Sequence, residues 1–184
     1  MRASAFLRPT GVPHPMRTAL TALYRAAEVL GAVLFVLIAV PILALVFARP
    51  FGISVPAADE FAGYAMAGSF ALMLGPSLRQ GAHIRVGLVL ERLRGRVRRV
   101  LELLCLAFAT ALSAYFAFYW LRMTWQSYDF GDLSQGVLPI PLWIPQAVMA
   151  AGLLVLVVAF LDILVTVARG GRAAYDDADA PAEG

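Results

Sequence analysis

The run VLGAVLFVLIAVPILALVFA, residues 29–48, decides the fold. It is free of charge for its whole length and, wound as an α-helix, spans about 30 Å, the thickness of a bilayer's hydrocarbon core. A cleavable signal peptide also has an apolar core, and Val46 and Ala48 mimic its small-residue cleavage motif. Signal cores are shorter, about 7–15 residues, and Pro50 follows almost at once, so the run reads as an uncleaved transmembrane helix. Three more runs follow. Residues 61–78 are preceded by Asp59 and Glu60 and bounded by Pro76. Residues 101–121 end in Tyr115, Phe116, Phe118, Tyr119 and Trp120, aromatics suited to a membrane interface. The fourth begins near Pro141 or Pro145, after Trp143 as an interfacial anchor, and continues over 145–168 to Gly170 and Gly171.

Composition agrees. Hydrophobic residues make up 61% and charged residues 15% of the 184-residue chain, against roughly 45–50% and about 25% in soluble domains. So much apolar surface cannot hide in the core of one globule of this length. All 15 basic Lys and Arg positions are arginine. They flank the apolar runs rather than sharing a face with aromatics, which excludes a nucleic-acid surface. The single Cys105 provides neither a disulfide framework nor a thiolate metal site, and its apolar setting predicts a small buried hydrophobe.

Arginine also orients the chain. Arg2, Arg8, Arg17 and Arg25 precede the first helix; Arg49 alone follows it. The connection from helix 2 to helix 3 holds Arg79, Arg85, Arg92, Arg94, Arg96, Arg98 and Arg99. That from helix 3 to helix 4 has only Arg122, and Arg169 and Arg172 come last. Rich and poor flanks alternate, as four spans with cytoplasmic N and C termini require. Between helices 2 and 3, Val86, Leu90, Leu93, Val97 and Val100 recur at steps of 4 and 3 and form one helical stripe with arginines around it. This predicts an amphipathic helix over 84–99 lying in the cytoplasmic interface against anionic headgroups. Residues 1–15, with three prolines, and the acidic stretch 170–184 read as disordered tails around a membrane domain at 16–169. Met1 and Met16 both stand as candidate starts.

Gly63, Ala67, Ala71 and Gly75 repeat every four residues along helix 2, a smooth face for close helix packing, in this chain or on a partner. Glu28, Glu102 and Asp162 all fall near the cytoplasmic ends. Arg25 and Arg98 are at helical-pair distance from the first two, while Asp162 must find its partner on another helix. Near midplane the polar residues are Ser69, Thr110 and Ser113, without a charge, and no pair of spans is broken as in transporters that bind substrate at that depth. His14 and His83 both lie outside the spans, which argues against haem. No cofactor, metal or nucleophile–base constellation is expected, so the chain reads as a non-enzymatic accessory or scaffold subunit.

Two stretches carry a resemblance. One starts with the acid Glu60 and ends Arg79-Gln80-Gly81-Ala82-His83-Ile84-Arg85-Val86. The other is Tyr128-Asp129-Phe130-Gly131, then Gly136-Val137 and Ile140-Pro141-Leu142-Trp143-Ile144-Pro145-Gln146. Together they resemble the small membrane subunit (DctQ type) of tripartite ATP-independent periplasmic (TRAP) transporters, over about residues 16–169. Gly87 departs from the family, which commonly has an Asp after the matching valine. The resemblance implies an all-α protein of the bacterial inner membrane that scaffolds a large membrane subunit. That partner would carry out sodium-coupled import of an organic acid delivered by a periplasmic solute-binding protein. It further suggests that Arg79, Gly81, His83 and Arg85 fix the turn from helix 2 into the interfacial helix, with His83 neutral and bonded to backbone. Asp129, Gly131, Pro141, Trp143 and Pro145 would belong to a periplasmic loop open to the binding protein. The small subunit of a tripartite tricarboxylate transporter shares the topology but should lack the His83 run and the proline-rich start of helix 4.

Overall fold

The computed structural model describes residues 15–53, 55–79 and 96–169. Among these the chain forms four long helices and no strand: α1 (Pro15–Ala48), α2 (Ala58–Arg79), α3 (Arg96–Asp129) and α4 (Trp143–Ala168), with a 3-10 turn at Arg49–Phe51 after α1. All four are long and apolar enough to cross a membrane. The tails expected at 1–15 and 170–184, apart from Pro15, and most of the segment expected to form the interfacial helix, Gly81, His83 and Arg85 included, lie outside the described residues.

Two helices outrun their apolar cores, and local chemistry explains both. α1 and α3 each contain 34 residues, about 51 Å at 1.5 Å per residue. Pro15 is suited to a first helical position, and the Ala- and Leu-rich stretch after it holds no breaker, so α1 starts well before its charge-free run. It stops at Arg49-Pro50, where Gly52, in the left-handed region at φ 68°, closes the turn by donating its N–H to the Arg49 carbonyl at 3.1 Å. α3 begins at Arg96 and so takes in Arg96–Arg99, which the sequence pattern assigns to the end of the interfacial helix. Arginine is a good helix former, and no Gly or Pro interrupts the chain from there to Asp129. Gly131 then ends α3 at φ 66°. α2 has Asp59 and Glu60 in its first turn and Arg79 in its last, charges that complement the helix dipole at both ends.

The helices form a row. α1 packs on α2, α2 on α4 and α4 on α3; α1 only grazes α4, and α1 and α3 share no packed face. Accordingly 44% of the apolar window of α2 is buried but only 6% of that of α1. The central pair, α2 and α4, meets backbone to backbone. A β-carbon on Gly152 would fall 2.6 Å from the Ala71 carbonyl oxygen and 2.6 Å from the Leu72 nitrogen. One on Gly75 would fall 2.8 Å from Val155 Cγ1. In lipid, where burying apolar surface gives no net gain, such approach is what holds helices together, through dispersion contacts. Gly31 brings α1 close to Met73 and the Ser69 carbonyl in the same way. A buried cluster of Tyr24, Ala27, Leu72, Leu78, Val155, Ala159, Ile163 and Val167 fills the arginine-rich half between α1, α2 and α4.

α3 is attached by an unusual face. Residues Leu103, Leu106, Thr110, Ser113, Ala117, Trp120, Thr124 and Ser127 recur at steps of 3 and 4 and are its less exposed positions. This stripe gathers Thr110, Ser113, Thr124 and Ser127, while the outward side carries Phe108, Tyr115, Phe116 and Phe118, all more than half exposed. Thr110, Ser113 and Thr124 bond back to the carbonyls of Leu106, Ala109 and Trp120 at 2.7–2.9 Å, which satisfies them within the helix. Cys105 is exposed rather than buried, because the inward stripe passes through positions 103 and 106 and leaves it on the apolar outer side.

Gly152→Ala is expected to separate α2 from α4 and to lower the melting temperature of the detergent-purified chain, since overpacking typically costs about 1–3 kcal/mol. Gly63→Ala, at a position with nothing within 4 Å, should leave it unchanged or raise it slightly. Fluorescence-monitored unfolding compares the two.

Candidate functional site

Three regions concentrate polar chemistry or unpartnered surface. At the arginine-rich end, Arg79 closes α2 and lays its guanidinium over the Tyr24 ring of α1, 4.9 Å from the centroid. Asp162 of α4 lies within electrostatic reach of the same tyrosine. The Tyr24 hydroxyl itself is buried without a hydrogen-bond partner. Beside this junction, Arg99 of α3 donates to the Val167 and Ala168 carbonyls at 3.4 and 3.3 Å. It places a cation at the negative end of α4, on two of the last carbonyls of that helix. Glu28 and Glu102 are also engaged in interactions.

The opposite end is organised by the connection between α3 and α4. Ser134 donates its backbone N–H to the Ile140 carbonyl at 2.8 Å, and Leu142 donates to Asp132 at 3.0 Å, pinching residues 132–142 into a narrow loop. Asp129, the last residue of α3, and Gly131 after it are exposed. Trp143, the first residue of α4, stacks edge-on against Tyr128 at 5.6 Å. Pro141 precedes α4 and bridges to Leu133, while Pro145 sits in its first turn, where a missing N–H costs nothing. Trp120 ties α3 to α4 by donating its indole N–H to the Gln146 carbonyl at 3.1 Å. Asp129, Gly131, Pro141, Trp143 and Pro145 therefore gather at one end of the molecule, far from Arg79.

The smooth face of helix 2 divides in two. Ala71 and Gly75 are buried against α4, whereas Gly63 is exposed with nothing within 4 Å and Ala67 is half-buried. Beside Gly63, Met66 and Phe70 are 65% and 69% exposed, so the outer half of this face is unpartnered. Sequence reasoning missed Tyr24, Arg99 and the pairing of Glu60 with Tyr64. Only the last left a signal, an acid and a tyrosine four residues apart at the start of a helix.

The α2–α4 contact leaves no space between backbones, and the midplane hydroxyls of α3 are satisfied internally. Among the described residues no group of three His, Cys, Asp or Glu side chains converges on a metal position.

Tyr24→Phe removes a buried hydroxyl that has no partner and keeps the ring under Arg79. It should leave thermal stability unchanged or raise it, because an unsatisfied buried group costs about 1–3 kcal/mol. Tyr24→Ala, losing the ring from the buried cluster, should lower stability by about 3–5 kcal/mol. Denaturation in mixed micelles measures both.

The profile of the family described as "Tripartite ATP-independent periplasmic transporters, DctQ component" matches residues 38–170, well over half of the chain. That interval covers the last third of α1, all of α2, α3 and α4, and both stretches that carry the resemblance. No curated protein and no solved structure matches the chain. With its four membrane-length helices in this order, the chain belongs to the DctQ family of TRAP transporter components and is a multi-pass membrane protein.

Proposed function

We propose that this chain is the small permease subunit of its transporter, a scaffold that enlarges and braces the static part of a large membrane partner. On this reading the partner holds the substrate and sodium sites and imports an organic acid handed over by a periplasmic solute-binding protein. The chain itself catalyses nothing. The observation that carries this reading is the contrast between a closed interior and open faces. α2 and α4 touch backbone to backbone at Gly152 and Gly75, while α1 exposes nearly all of its apolar span. A row of helices with two broad apolar sides is suited to lean on another membrane protein, with lipid on the side left over.

The open outer half of the helix 2 face, Gly63 and Ala67 with Met66 and Phe70 beside them, is the part we assign to the large subunit. Arg79, with Gly81, His83 and Arg85 after it, would lead the chain into the interfacial helix beside anionic headgroups. The arginine-rich flanks support cytoplasmic N and C termini in the bacterial inner membrane. Asp129, Gly131, Pro141, Trp143 and Pro145 would then face the periplasm, where the binding protein approaches.

Affinity-tagged chain is expected to co-purify from its native membrane with a membrane protein of about twelve spans, and to take up no organic acid when reconstituted alone in sodium-loaded liposomes. Uptake by the chain alone would sink the scaffold assignment. Orientation is tested separately in a Cys105→Ser background. A membrane-impermeant maleimide added to spheroplasts should label Asp132→Cys and spare Arg169→Cys; the reverse pattern inverts the topology.

A further inference from the structure

Glu60 is a membrane-edge carboxylate that the scaffold reading does not use. It stands in the first turn of α2 and its side chain reaches across to the loop between α3 and α4. There it lies flat against Gly136: a β-carbon at 136 would overlap the carboxylate, with Glu60 Cδ 2.7 Å away. Its Oε1 accepts the Tyr64 hydroxyl at 2.7 Å. Ser134, buried at the neck of the loop, hydrogen-bonds Tyr64 in turn and accepts the Gly136 N–H on its hydroxyl oxygen at 3.1 Å. Glu60 Oε2 is shielded from solvent and has no hydrogen-bond partner.

Oε2 makes no bond to the loop, so the attachment runs through the other oxygen: Glu60 Oε1 fixes the Tyr64 hydroxyl, and that hydroxyl meets Ser134 in the loop. We infer that Glu60 is a latch: through Gly136, Tyr64 and Ser134 it straps the 132–142 loop onto the outer end of α2. The strap adds to the α2–α4 face a contact with the connection that leads back to α3, a helix on which α2 does not itself pack. It also fixes what the loop presents outward. Phe130 and Val137 are each 75% exposed on either side of Ser134, and a closed latch holds those side chains in one arrangement. The requirement for glycine at 136 is steric rather than conformational: the carboxylate takes the space of a side chain.

The latch rests on the fold alone, so its failure would leave the subunit assignment untouched. Hydrogen exchange of the full-length chain in nanodiscs tests it. In Glu60→Ala the Ser134 and Gly136 amides should exchange about tenfold faster, while the Arg169 amide at the far end of α4 keeps its rate. Gly136→Ala, which displaces the same contact from the other side, should do the same. Unchanged loop amides in either variant overturn the proposal. If Glu60→Ala loosens the entire row, Tyr64→Phe decides, because it deletes one oxygen and preserves the ring. Faster exchange confined to Ser134 and Gly136 supports the latch, and wild-type rates there refute it.

Discussion

Everything in this structure depends on two helix backbones touching. Gly152 on α4 and Ala71 with Gly75 on α2 allow an approach that any larger side chain would prevent. In water such a contact would be one of many, secondary to the burial of apolar surface. In a bilayer lipid tails solvate leucine as well as another helix does, and the dispersion energy gained by close, continuous contact becomes the main adhesive. α1 and α3 then add themselves to the two outer sides of this pair, each by a different device. α1 uses Gly31 and the Tyr24 cluster; α3 uses a stripe that gathers hydroxyl-bearing residues, with Arg99 and Trp120 bonded to α4 near its two ends.

The solvent of the fold was legible in the sequence because it is written in long runs. Four long apolar stretches and an alternating count of arginines require no tertiary information, and each is a sum over many residues. Helix ends were less legible. The limits at 29 and 121 follow the hydrophobic thickness, whereas the helices stop where the backbone stops, at Pro15, Gly52 and Gly131. The burial of Cys105 was misjudged for a related reason. Inside a membrane, apolar residues face outward as readily as inward, so hydrophobicity no longer reports side. For α3 the inward face is the more polar one.

The candidate site was legible in part. The recurrence of small residues on α2 marked a packing face, yet its division between Ala71 and Gly75, used within the chain, and Gly63, left open, depends on where α4 crosses. No local pattern records that. The same holds for Asp162, which comes within electrostatic reach of Tyr24 on α1, far away in sequence. The proline-rich start of α4 and the loop before it could be named from sequence because their chemistry is local: turns and first helical positions are selected by single residues. These limits do not touch the family assignment, which rests on a match spanning residues 38–170.

The order of helices in the row, α1–α2–α4–α3, has a consequence for how the protein comes to exist. Two of its three interfaces join helices adjacent in the chain, so each can form as a hairpin soon after its second half leaves the ribosome. Only the α2–α4 seam joins partners distant in sequence. Biogenesis thus reduces to two locally completed hairpins and one lateral docking event in the plane of the membrane. A newly made chain waiting for that event exposes the glycine-lined surface of each hairpin to its neighbours in the lipid. Until the seam closes, a hairpin of another copy is a competitor for the same groove, and the rate of closure sets how long the nascent chain remains open to that error.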